Sequence, residues 1–95
     1  MVITVPANST LDLTAALGAS TGDIITVEPE RSSSLGAMVN ITTAASVGAA
    51  DADDGVWVYP SLQYFGSIRG VTQSAGQVVC LINEYGTDVK VRAYI

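Results

Sequence analysis

The sequence predicts an all-β domain: an antiparallel β-sandwich or barrel, jelly-roll or Greek-key-like, of about seven or eight short strands with one short helix near residues 11–17. Val, Ile and Thr supply 28 of the 95 residues. These β-branched side chains lose rotamer freedom in a helix but pack well on a pleated surface. Turn signals built on Gly, Pro, Asn and Asp recur at short intervals, and no long segment carries the 3.6-residue apolar period that parallel crossovers need. Residues 1–95 are read as a single β domain, with 1–6 an N-terminal edge strand or arm.

Met1–Pro6 reads as a strand closed by Pro6, which has no N–H to give a ladder. Ser9 or Thr10 is placed to cap a helix over Leu11–Leu17, Asp12 suits its positive end, and Gly18 supplies a left-handed exit. The same stretch, Leu11-Asp12-Leu13-Thr14, also alternates as a strand would. Gly22-Asp23 turns the chain into Ile24–Glu28, Pro29 ends that strand, and Glu30–Gly36 is a loop. Ala37, Val39, Ile41 and Thr43 alternate with Met38, Asn40 and Thr42, the period of a half-buried strand. Ala44–Gly55, rich in small residues, is the most loop-like segment.

Val56–Tyr59 is a strand stopped by Pro60, and Tyr64–Ile68 continues it or pairs with it. Gly66 and Gly70 suggest bulges or bends, and Arg69-Gly70-Val71 reads as a turn. Gln77–Asn83 is nearly all apolar, as in a central strand covered on both faces. Glu84–Thr87 suits a hairpin turn with Gly86 at positive φ. The closing strand, Asp88–Ile95, sets Val89, Val91, Ala93 and Ile95 against Lys90, Arg92 and Tyr94.

Nine acidic residues against four basic ones (Arg31, Arg69, Lys90, Arg92) give a net charge of -5. That is the wrong sign for holding nucleic acid by counterion release, so no nucleic-acid partner is expected. The N-terminus lacks the basic and apolar regions of a signal peptide. Ser32–Ala50 is uncharged, but Ser, Thr, Asn and Gly interrupt it too often for a membrane helix, so no membrane partner is expected. With one cysteine, Cys80, neither an internal disulfide nor a two-cysteine metal site can form; its apolar surroundings mark a buried structural thiol.

Histidine is absent, which removes serine–histidine and cysteine–histidine nucleophile pairs and the commonest neutral metal ligand. Glu28 and Glu30 could divide acid and base roles, but Pro29 and Arg31 around them suit a strand exit better. The expectation is a protein that is not an enzyme, with no catalytic residue, no cofactor and no metal. Asp51-Ala52-Asp53-Asp54-Gly55 is the one charge cluster. It fails the spacing of a helix-loop-helix calcium loop, since Gly55 stands where a third acidic ligand belongs, and a solvated turn is the simpler reading.

Trp57, Tyr59, Tyr64 and Phe65 concentrate the aromatic area. If Val56 and Val58 face the core, Trp57 and Tyr59 face outward and mark an interface; in the opposite register they are core, the usual place for a lone tryptophan. The candidate interface residues are Val2, Ile3, Val5, Trp57, Tyr59, Tyr64 and Phe65, with the Val2–Val5 strand placed to add to a neighbour's sheet.

Asp12–Gly18, then Gly22–Val27, then Asp53-Asp54-Gly55 before Val56-Trp57-Val58, resemble small β-structured virion proteins of tailed bacteriophages. The resemblance covers most of residues 10–95 through turns and hydrophobic spacing. It implies a capsid decoration (cement) protein, or a related head or tail accessory subunit, made in the host cytoplasm, with the capsid surface the favoured location. Its partners would be the major capsid protein lattice and further copies of itself, a trimer being favoured. Two other readings remain open: a carbohydrate- or receptor-binding module of a phage tail or fibre, with Trp57, Tyr59 and Tyr64 as a stacking platform, and a self-assembling pilus or surface-layer subunit.

Overall fold

A computed structural model describes residues 1–30, 39–58 and 69–95. The described chain forms eight strands in two four-stranded antiparallel sheets. In chain order they are β1 (Val2–Val5), β2 (Ser9–Asp12), β3 (Ile24–Pro29), β4 (Val39–Ala44), β5 (Val56–Val58), β6 (Arg69–Thr72), β7 (Val78–Asn83) and β8 (Val89–Tyr94). One helix, α1 (Leu13–Leu17), follows β2, and two 3-10 turns, Val47–Ala49 and Ala52–Asp54, lie between β4 and β5.

One sheet has the order β1-β8-β3-β6 and the other β2-β7-β4-β5. Pairing β1 with β8, β2 with β7, β3 with β6 and β4 with β5 describes one long two-stranded ribbon whose tip is the β4–β5 connection. Rolling that ribbon adds the β3–β8 and β4–β7 pairs, which is the arrangement of a double-sheet jelly roll. Among the described strands, β4 and β5 are the one consecutive pair within a sheet; the other consecutive strands lie in different sheets.

The core lies between the layers. Ile3 and Val5 of β1, Ile25 and Val27 of β3, and Val89, Val91 and Ala93 of β8 face Val39 and Ile41 of β4 and Val79 and Leu81 of β7, with Leu13 closing one end. In β8 buried and exposed positions alternate as the sequence predicts.

The helix is shorter than expected. Leu11 and Asp12 belong to β2, where Leu11 pairs with Leu81 and Asp12 with Cys80, and ladder pairing wins over helix initiation. The N-cap is accordingly Asp12, whose Oδ1 accepts from Ala15 N–H at 2.9 Å, in place of Ser9 or Thr10. Gly18 makes the left-handed exit, with φ of 65°.

Arg69–Thr72 is a strand in unbroken register with β3, not a turn or a bulge. The Glu84–Thr87 connection is not a hairpin either, because β7 and β8 lie in different sheets. Gly86 has no positive φ there. Asn83, almost fully buried between the sheets, takes over the role of the missing ladder. Its Nδ2 donates to Val5 O (3.1 Å), Pro6 O (3.2 Å) and Thr87 O (2.8 Å), and its Oδ1 accepts from Tyr85 N–H (2.9 Å). The same corner gains Ala7 N–H to Asp88 Oδ1 (3.0 Å) and Asn8 N–H to Tyr85 O (2.9 Å).

The next corner repeats the device with Gln73, also buried. Its Nε2 donates to Gln77 O (2.6 Å) and Ser74 O (3.2 Å), while its Oε1 accepts from the Thr14 hydroxyl (2.7 Å). Thr14 Oγ1 in turn accepts from Val79 N–H (2.8 Å), tying α1 to β7. The backbone of Gln73 pairs with Gly22 and Asp23 (both 2.8 Å).

Replacing Asn83 by Ala removes its bonds to the Tyr85 N–H and the Thr87 O, and its shares of the Val5 and Pro6 carbonyls, of which Pro6 O keeps the Ser9 hydroxyl. Asn83→Ala is therefore expected to lower stability by roughly 3 kcal/mol, read as a lower urea midpoint at unchanged slope. A loss within a few tenths of a kcal/mol would show that the corner holds without it.

Candidate interaction surface

The two outer faces of the sandwich differ. On the β2-β7-β4-β5 sheet the outer positions of β4 and β7 are Asn40, Thr42, Cys80 and Ile82, and all four are buried. The expectation that β4 is half-buried therefore fails. The β4–β5 connection packs its first 3-10 turn near β2 and its second on β4, the two strands that flank β7, and so forms a lid on this sheet. Asn40 Nδ2 donates to Ala52 O (2.9 Å), fixing the lid to the strand.

Gly55 lets the lid come this close. A Cβ there would overlap the Asn40 carboxamide and sit 2.6 Å from Ile41 O. Gly55→Ala should cost about 1–3 kcal/mol in thermal or urea unfolding, the range for overpacking a filled site. An unchanged midpoint would mean the lid lifts freely.

Beneath the lid, burial pushes the Cys80 thiol above its ordinary pKa, and the neighbouring Asp12 carboxylate adds to the rise. The unfolded chain then loses this proton first as pH rises, so stability falls above the ordinary cysteine value, about 8.5. Cys80→Ala should abolish that part of the slope in unfolding measured from pH 8 upward. Identical slopes in the two proteins would contradict a protonated, buried thiol.

The lid's own carboxylates, Asp51, Asp53 and Asp54, are exposed, and Asp51 Oδ1 caps the second 3-10 turn through Asp53 N–H (2.9 Å). Among the described residues no group of three or more Cys, Asp or Glu is placed to hold a metal ion. Trp57 pairs with Asn40 and so lies on the outer face, 37% exposed, while Val56 pairs with the core residue Ile41. This settles the two registers left open above: Trp57 is a surface residue and not core.

The outer face of the β1-β8-β3-β6 sheet has no such lid among the described residues. It presents Val2 and Thr4, Lys90, Arg92 and Tyr94, Ile24, Thr26 and Glu28, and Gly70 and Thr72. Five of the seven large apolar residues exposed among the described positions gather at one end of this sheet: Met1, Val2, Ile24, Tyr94 and Ile95. The register makes Tyr94 the diagonal neighbour of both Val2 and Ile24, within side-chain reach at roughly 7–8 Å between Cα atoms. Toward the other end, Arg92 stands opposite Glu28, whose Oε1 accepts from the Tyr94 hydroxyl at 2.7 Å. That hydrogen bond raises the Tyr94 phenol above its ordinary pKa; slight burial and the Glu28 charge add to the rise, while the Arg92 charge and a Thr26 hydrogen bond oppose it.

Of the candidate interface residues, Val2 is exposed on this face, but Ile3 and Val5 are corrected to core positions, since alternation along β1 turns them between the sheets. β1 is a member of the sheet and sits at its edge. Ala93 N–H donates to Met1 O (2.9 Å), so Ile3 and Val5 face β8 and the backbone groups of Val2 and Thr4 point away from it, toward the edge. Tyr59, Tyr64 and Phe65 lie outside the described residues, as do Arg31 and most of the Glu30–Gly36 loop. The composition had no signal for Ile24 and Tyr94 as surface residues, because only the register reveals that they converge.

No protein-family model matches the chain, and neither a curated protein nor a solved structure matches it.

Proposed function

We propose that the chain is a non-enzymatic structural protein of a tailed-phage virion, a decoration (cement) protein that docks on the head lattice as an oligomer, with a trimer favoured. The observation that carries this reading is the outer face of the β1-β8-β3-β6 sheet, where five of the seven large apolar side chains exposed among the described residues collect at one end beside strand β1. Exposed apolar clusters rimmed by polar residues mark interaction sites. An edge strand of sequence Val-Ile-Thr-Val has neither charge nor proline to discourage addition of a neighbour's strand. The resemblance in turns and hydrophobic spacing to small virion proteins supplies the virion context.

The second reading, a carbohydrate-binding module of a tail or fibre, is favoured by one observation, the half-exposed Trp57. As the sole tryptophan it reports directly on sugar stacking.

Thr4→Pro removes an N–H that points away from β8, so it should preserve the fold and weaken lattice binding. The measurement is decoration of heads lacking this protein, scored by negative-stain microscopy and co-sedimentation. Wild-type protein that leaves the heads bare sinks the decoration reading; a wild-type level of binding by Thr4→Pro sinks the edge-strand mode of docking. Sugar-dependent Trp57 fluorescence would move the assignment to the second reading.

A further inference from the structure

Between the two sheets, on the side away from β1, the described chain leaves a cleft. Strand β5 begins opposite Ile41, so residues 42–44 of β4 run past its start, and the other sheet ends in β6. The cleft between these edges has a volume of about 370 Å³ and is lined by Ile41, Thr43 and Val56 of one sheet, Arg69 and Val71 of the other, and Asp54 of the lid. One of these residues is out of keeping with its place. The register sets Arg69 opposite Val27 and Val71 opposite Ile25, and Val27 and Ile25 are core residues, so Arg69 leaves β6 on the inner face of its sheet. The other charged residues of the described strands, Asp12, Glu28, Lys90 and Arg92, stand on outer faces. A charge on a core-facing position must keep its water or find a partner. Among the described residues neither the Arg69 guanidinium nor the Asp54 carboxylate has a hydrogen bond or an ion pair, so the cleft holds one unpaired charge of each sign.

We propose that this cleft binds a small aliphatic zwitterion, a free α-amino acid, with its carboxylate on Arg69, its ammonium on Asp54 and its side chain against Val56 and Val71. The planar guanidinium fork matches a carboxylate through two parallel N–H···O bonds. An anion without an ammonium meets the Asp54 charge, and a cation without a carboxylate meets the Arg69 charge; a ligand carrying both answers each wall. The volume falls at the lower end of small-ligand sites, roughly 300–1,000 Å³, which suits a single amino acid. Strand β6 stands at the opposite end of the strand order from β1, so this site is separate from the proposed lattice docking and does not depend on it.

Amide NMR shifts of the isotope-labelled full chain, followed as L-leucine is added, test the proposal, with N-acetyl-leucine (no ammonium) and leucinamide (no carboxylate) as comparison ligands. Leucine should move the Gly55 and Gly70 amides to saturation. Each comparison ligand should bind the wild-type protein at least about tenfold more weakly, the loss expected for one hydrogen bond to a charged group. Asp54→Asn should erase the preference over N-acetyl-leucine, and Arg69→Gln the preference over leucinamide. Both side chains are exposed and without partners, so the variants should keep the wild-type amide spectrum away from the cleft. Shifts that never saturate with leucine overturn the site. A comparison ligand that binds the wild-type protein as tightly as leucine, or preferences that the two variants leave unchanged, overturns the pairing of charges on which it rests.

Discussion

The fold depends on how a long antiparallel ribbon turns a corner. Where its two strands leave one sheet for the other, the ladder between them stops, and the freed backbone groups sit close to the core, where an unpaired N–H or C=O is costly. Two buried carboxamides meet that demand, Asn83 at the corner between β1–β2 and β7–β8 and Gln73 at the corner between α1–β3 and β6–β7. A carboxamide suits the task because it donates and accepts at once and carries no charge to desolvate. The corners fix the separation and order of the sheets, and hence which strands end at edges.

Covering one outer face and leaving the other open follows from the same topology. The β4–β5 connection is the ribbon's tip and, among the described strands, joins the one consecutive pair that shares a sheet. It is long, and Gly55 lets it fold back onto β4 within contact of Asn40. On this sheet the outer residues Cys80, Ile82, Asn40 and Thr42 are all buried, Asn40 against the connection itself. Among the described residues nothing covers the outer face of the sheet that holds β1 and β8, and β1 ends its strand order; the proposed docking falls there.

Much of the fold was legible in local pattern. The alternation of Val89–Tyr94, the unbroken apolar run of Val78–Ile82, the Pro6 strand stop and the Gly18 helix exit each follow from one local rule and appear as expected. The misreadings share a cause. Leu11–Asp12, Arg69–Val71 and Glu84–Thr87 suggest a helix start, a turn and a hairpin to a local reading, but each is decided by a partner strand far along the chain.

Composition by itself determined an acidic, histidine-free, β-branched chain with a lone apolar-flanked cysteine, because residue type and period 2 are local properties. Tertiary structure alone decided that Trp57 faces outward, that Ile3 and Val5 belong to the core, and that Val2, Ile24 and Tyr94 form one cluster. A strand's alternation marks two faces without saying which is wet; that depends on the layer packed against it, and here on a loop that covers one sheet and not the other.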